Sequence, residues 1–174
     1  MMKNCDPSGF EKWIGFSQIK SMPVYFYVQR NYSTTTLNSS ISFNSALVNI
    51  GNAMNLKSGI FTAPRMGTYF FSFTGLASFP SSSSTGVYLE IDLYLNTSTI
   101  GSSRVEEANT VNQQWSPLII QSTVTLKSGD RVSLKLVDKS PGDVRLYDDK
   151  NHFTHFTGWM LEEDIRHQID VNVV

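Results

Sequence analysis

At 174 residues, with 40% hydrophobic and 17% charged side chains, the chain can bury one substantial core and is too poor in charge for a disordered segment or a helical bundle. Its net charge of -1, with lysines and arginines scattered rather than clustered, excludes electrostatic capture of nucleic acid. No window approaches the ~18 apolar residues of a membrane-spanning helix, and Met1 to Lys20 holds no apolar stretch of the kind that directs secretion.

Residues 1–22 read as a connector, punctuated by Pro7, Gly9 and Gly15, in which Trp13, Ile14, Phe16 and Ile19 need cover. The only cysteine, Cys5, has no disulfide partner within the chain, so the domain owes nothing to disulfides. Cys5 is either an inert thiol or a remnant of a region further upstream.

From Val24 to Gln29 a first strand is apolar or aromatic on both faces. A Ser/Thr/Asn loop follows over 31–40, then strand pieces at Ile41–Phe43 and Ala46–Ile50. Gly67 opens a long strand to Phe79, with Tyr69, Phe71 and Phe73 on one face and Ser72 and Thr74 on the other, the period of two of a half-buried strand. Pro80 and the serine-rich run to Gly86 form a loop. Val87 to Leu95 alternates, with Val87, Leu89, Ile91, Leu93 and Leu95 inward and Tyr88, Glu90, Asp92 and Tyr94 outward. Ile100–Val105 is a weaker strand. Leu118, Ile120, Val124 and Leu126 share one face of the next. A turn at Lys127-Ser-Gly-Asp130 leads to Val132, Leu134 and Leu136 on one face of the strand after it. Lys139 to Asn151 reads as a loop and His152 to Glu162 as the last strand; residues 160–170 are the only weak helical candidate. Short strands with polar turns predict an all-β sandwich or jelly roll.

A sandwich strand ordinarily has one wet face. The first strand and the last, with Phe153, Phe156, Trp159, Met160 and Leu161, are apolar on both. A second copy of the chain is the simplest cover for the extra face, which predicts a tight homo-oligomer.

The series Phe43, Asn49, Phe61, Gly67, Tyr69, Phe71 and Phe73 resembles the globular-head pattern of the complement C1q family, related in fold to tumour necrosis factor. Met54 departs from it, standing where an aromatic or leucine is usual; methionine is apolar and adaptable enough to fill the same space. Leu47 to Asn52, Phe61 to Pro64, Leu126 to Asp130 and Phe156-Thr-Gly-Trp-Met-Leu161 also resemble the family's internal strands and closing pattern. The resemblance covers about residues 23–165 and implies a ten-strand jelly-roll sandwich that assembles as a compact homotrimer, of the invertebrate type. Residues 1–22 are then a junction following an upstream Cys-bearing domain, the chain a fragment of a longer one, and 166–174 a tail. The core on this reading is Phe43, Phe61, Tyr69, Phe71, Phe73 and Phe156, and the trimer contacts include Tyr25, Tyr27, Phe153 and Trp159.

The resemblance also implies a secreted, extracellular, lectin-like recognition module of innate immunity whose surface loops bind microbial glycans or proteins. The loop candidates are Glu106, Glu107, Asn109, Asn112, Asp143, Asp148 and Asp149. Some family members bind calcium through paired aspartates near Arg104 and Asn112 in this numbering, and that pair is absent here. Glu106 and Glu107 are the nearby oxygen donors, so calcium is the one cofactor to consider. Zinc at Asp148, Asp149, His152 and His155 is disfavoured, because residues three apart on a strand face opposite ways. No nucleophile motif or phosphate loop is present, which argues against an enzyme. Two other readings remain: a structural or cytokine-like trimerising head, and a cupin-like jelly-roll enzyme, for which three histidines are too few. Three glycosylation sequons, Asn31-Tyr-Ser, Asn38-Ser-Ser and Asn96-Thr-Ser, are as common as chance would place in a chain this rich in Asn, Ser and Thr.

Overall fold

A computed structural model describes residues 22–83, 86–108 and 112–164. These form an all-β sandwich of antiparallel strands: β1 (Tyr25–Gln29), β2 (Ser45–Ile50), β3 (Met54–Asn55), β4 (Ile60–Thr62), β5 (Gly67–Phe79), β6 (Val87–Leu95), β7 (Ser98–Glu107), β8 (Gln114–Leu126), β9 (Arg131–Lys139), β10 (Arg145–Tyr147) and β11 (His155–Glu163). One sheet runs β8-β5-β11-β1-β2, with β10 beside the end of β5 that β11 leaves free; the other runs β3-β4-β9-β6-β7. The long β5 is paired along its whole length with β8, from Gly67 opposite Leu126 to Phe79 opposite Gln114.

The inner faces meet in one aromatic core. Phe26 lies 5.5 Å from Phe61 and 5.0 Å from Phe156 between ring centroids, and Phe61 lies 5.3 Å from Phe71. Phe43, Tyr69 and Phe73 are buried with them, Leu118 and Leu126 join from β8 of the same sheet, and Leu89, Ile91, Leu93, Val132, Leu134 and Leu136 complete the layer from the facing sheet. Each such side chain contributes roughly 1.5–3 kcal/mol on burial. Gly158 is required by this packing: a Cβ there would sit 2.6 Å from Phe71 Cδ1 and 2.7 Å from Phe26 Cε1. The Asn49–Met54 spacing has a plain cause. Asn49 Nδ2 donates to the Met54 carbonyl at 2.8 Å and its Oδ1 accepts from the Met54 N–H at 3.3 Å, which turns Met54 into the core at 2% exposure.

Several boundaries differ from the sequence expectation. Among the described residues eleven pairing segments are present where ten strands were expected, the shortest being β3 with two residues. Ile41–Phe43 is not a strand. This stretch crosses between the sheets, so its partners change residue by residue: Ile41 N donates to Leu134, Phe43 N to Leu56 and Asn44 N to Gln29. The stretch Lys139–Asn151 holds β10, paired with Leu76–Ser78. The last strand begins at His155 rather than His152, because His152 adopts a φ of 56° that no strand tolerates. Asp92 faces outward as expected but is buried, since Ser102 and Thr99 donate their hydroxyls to it at 2.6 and 3.2 Å. Residues 160–163 are strand, and the rest of the helical candidate lies outside the described residues.

Candidate functional site

The sequence candidates fall in two regions of the sandwich: the outward face of the six-stranded sheet, and the loops beyond its strands. Register places the first. Phe70, Trp159, Tyr25 and Ile50 are successive cross-strand partners on β5, β11, β1 and β2, so they form one row across four strands. Phe70 and Trp159 lie 4.6 Å apart between ring centroids. A second apolar group sits further along, where Trp115 meets Tyr147 at 6.2 Å and Tyr147 meets Phe153 at 6.0 Å. In the single chain Trp115, Ile119 and Trp159 are 50%, 56% and 39% exposed. Between the two groups the face is polar, with Gln29, Tyr27, Ser72, Thr74, His155 and Thr157.

His155 sits within this polar strip. Its Nδ1 is 3.1 Å from the Tyr27 hydroxyl, and burial pulls its pKa below the usual 6.5, opposed by the charge of Asp148. The sequence expectation named Tyr25, Tyr27, Phe153 and Trp159; all four lie on this side of the molecule. Phe70, Trp115, Ile119 and Tyr147 were missed. Phe70 had a signal, because Tyr69-Phe70-Phe71 interrupts the alternation and requires cover on both faces. Trp115 had none, since it lies ahead of Pro117 and outside the apolar face that begins at Leu118.

Strand register also fixes the ends. Phe79 pairs Gln114, Val87 pairs Glu107, Leu89 pairs Lys139 and Arg145 pairs Ser78. The connections β5–β6, β7–β8 and β9–β10 therefore leave the same end of the sandwich. They are cross-braced: Tyr88 N donates to Ser140 Oγ at 2.9 Å, Gln113 Nε2 to Ser78 Oγ at 2.9 Å, and Ser116 Oγ to Glu107. The described termini lie at the opposite end, where Arg65 donates to the Met22 carbonyl and Asp164 N to that of Met66. A groove of about 420 Å³ runs there between residues 22–27, Val48 and residues 157–163.

The loop candidates divide accordingly. Glu106 is exposed and pairs with Arg104 at 3.8 Å, while Glu107 accepts from Ser116. As neighbours on β7 they point to opposite faces, so the strand does not bring them together as a calcium pair. Asp143 is exposed and paired with Arg145, and Asn112 is exposed. Asn109 lies outside the described residues. Asp149 is held below the ordinary carboxylate range by the Asn151 N–H, and it accepts from the Tyr147 hydroxyl, which it raises in turn.

Asp148 is not a solvated contact residue. It is 5% exposed, its Oδ1 accepts from the N–H groups of Asp149 at 2.8 Å and Phe153 at 3.0 Å, and its Oδ2 from that of Thr154 at 2.7 Å. His152 Nδ1 is 2.9 Å from the Arg30 carbonyl. Asp148, His152 and His155 are thus committed to separate structural bonds, and among the described residues no three His, Cys, Asp or Glu side chains group as a metal-holding set. The buried Arg30 beside them carried no sequence signal. It donates to the Tyr32 and Ser42 carbonyls at 2.6 and 2.9 Å and stacks on the Tyr32 ring at 3.8 Å, and burial lowers its pKa.

Two antiparallel sheets, an outward aromatic face and a braced loop end define a jelly-roll binding domain. The family model for the C1q domain matches residues 25–161, and the chain belongs to that family. Family members are binding and trimerising modules, generally non-enzymatic and extracellular. Among solved structures the chain is similar to the globular domain of the zebrafish complement 1qA protein, with a TM-score of 0.60 and 17% identity over 81% of this chain and 99% of that one. No curated protein matches the sequence.

Proposed function

We propose that this chain is a secreted, non-enzymatic recognition module that assembles as a homotrimer through the outward face of its six-stranded sheet. It binds macromolecular ligands, microbial surface glycans or proteins, through the loops at the end away from its described termini. The row Phe70–Trp159–Tyr25–Ile50 carries this reading. An apolar row across four strands has no covering partner among the described residues, and contiguous apolar surface of this kind marks an interaction site. A closed oligomer of identical copies covers it in every copy at once. Phe70, Trp159 and Ile50 come from strands that carry landmarks of the family, so fold and assembly would share elements.

Sedimentation analysis at micromolar concentration tests the assembly. The native chain is expected as a trimer and Trp159→Glu as a folded monomer, since Trp159 lies outside the core. A monomeric native chain overturns the proposal. A glycan array read with the trimer tests recognition, and a trimer that binds no glycan or microbial surface supports a structural head instead.

A further inference from the structure

The three sequons are alike in sequence and differ in what the folded chain does with each asparagine. Asn96 is fully engaged. Its Nδ2 donates to Asp130 at 3.0 Å, its Oδ1 accepts from the Arg131 N–H at 2.9 Å, and its own N–H donates to the Arg131 carbonyl at 2.7 Å. This side chain locks the β6–β7 turn to the β8–β9 turn, and that is reason enough for an asparagine there. Asn31 is partly engaged, its Oδ1 accepting from Asn44 Nδ2 at 2.7 Å. The sequon's Ser33 is also occupied, its hydroxyl donating to the Asp148 carbonyl and accepting the Asp148 N–H.

Asn38 is different. It is exposed at a φ of 58°, its backbone N–H is anchored to Leu136 at 2.8 Å, and its side-chain amide has no hydrogen-bond partner among the described residues. The positive φ accounts for asparagine or glycine at this place but leaves the amide group itself unused. The following Ser39 is exposed and Ser40 is bridged by backbone to Lys135. These contacts place Asn38 beside β9, in the layer opposite the outward aromatic face. A bulky group there points away from the surface that would pack against other copies.

We propose that Asn38 is an N-glycan acceptor of this chain, and that Asn96 is not one in the folded protein. The inference rests on the extracellular reading above, because the donor is a lipid-diphosphate-linked oligosaccharide met during secretion. In the transfer, Asn38 Nδ2 bonds to the anomeric carbon of N-acetylglucosamine. The bond from that carbon to the diphosphate oxygen breaks, the lipid diphosphate leaves with the electron pair, and one Nδ2 proton is lost. Transfer occurs on extended chain, so all three sequons are presented; the folded structure then decides which glycosylated chains can reach the native fold, and so be secreted, without giving up a bond. At Asn38 the glycan replaces only contacts with water. At Asn96 it takes one of the two N–H positions on a nitrogen already donating to Asp130, inside the contact that locks the two turns together.

The test is expression in a eukaryotic cell with a cleavable signal peptide added, followed by peptide mapping before and after an N-glycan amidase. The secreted native chain is expected to carry glycan at Asn38 and none at Asn96. Both Asn38→Gln and Ser40→Ala should lose the Asn38 glycan; Ser40→Ala keeps the asparagine at its positive φ and so guards against a folding artefact. Secreted, folded protein with Asn38 unmodified, or with Asn96 occupied, overturns the proposal. Because the added signal forces entry to the secretory route, failure of the chain to be secreted from its own gene would count against the extracellular reading alone.

Discussion

Asp148 satisfies three backbone N–H groups with one carboxylate, and that of Thr154 is buried. Unmade hydrogen bonds to buried donors cost about 1–3 kcal/mol each. Asp148→Ala should therefore lower stability by at least that much in urea unfolding, whereas Asp149→Ala, which frees only solvent-accessible donors, should cost less. Equal effects would contradict the assignment. Nothing in the sequence separates these neighbouring aspartates. Which of them turns inward is set by the φ of 56° at His152 and by contacts with Ser33 and Arg30, more than a hundred residues earlier in the chain. The core residues were legible by contrast, because Tyr69, Phe71 and Phe73 announce themselves by period. Met54 was legible as a substitute but not in its cause, since the reciprocal bond to Asn49 is a matter of geometry.

Strand β11 serves both faces of its sheet: Phe156 and Gly158 point into the core, His155 and Trp159 outward. Its two-sidedness could be read from composition and, with that of β1, pointed to an oligomer. Its start could not, because β-propensity does not register a left-handed residue at the strand's edge. The same strand sets a pH response. The His155 pKa is lowered by burial, so the unfolded chain takes up a proton near 6.5 that the folded chain accepts only at lower pH. Stability should fall as pH drops through 6.5 and then level below the folded pKa, with no dependence from this group above that window. Thermal unfolding at about pH 7.5 and about pH 5.5, compared between the native chain and His155→Gln, measures it; the acid-induced loss should shrink in the variant.

At the scale of the whole molecule, the loops gather at one end and the described termini at the other. In a trimer the three loop ends would face one way, so three weak contacts could engage a repetitive surface together, gaining ~10²–10⁴ in apparent affinity over one. Surface plasmon resonance should show that gain on a densely coated microbial glycan surface and its disappearance for Trp159→Glu. On a sparse surface, where only one site can engage, the two should bind alike. The composition of these loops was visible in the sequence; their convergence was not, because it depends on strand register across both sheets.

The placement of Met22 and Asp164 has a mechanical side. They leave from the same end of two antiparallel neighbours, β1 and β11, with Met160 N bonded to the Val24 carbonyl as one of the outermost links. A pull applied between these two points runs across the strands rather than along them. It opens the β1–β11 pair one bond at a time like a zipper, whereas a pull through one terminus against a ligand held by the loops runs lengthwise and loads many bonds in parallel. The fold should thus resist a lengthwise pull from the loop end better than a pull that draws Met22 and Asp164 apart.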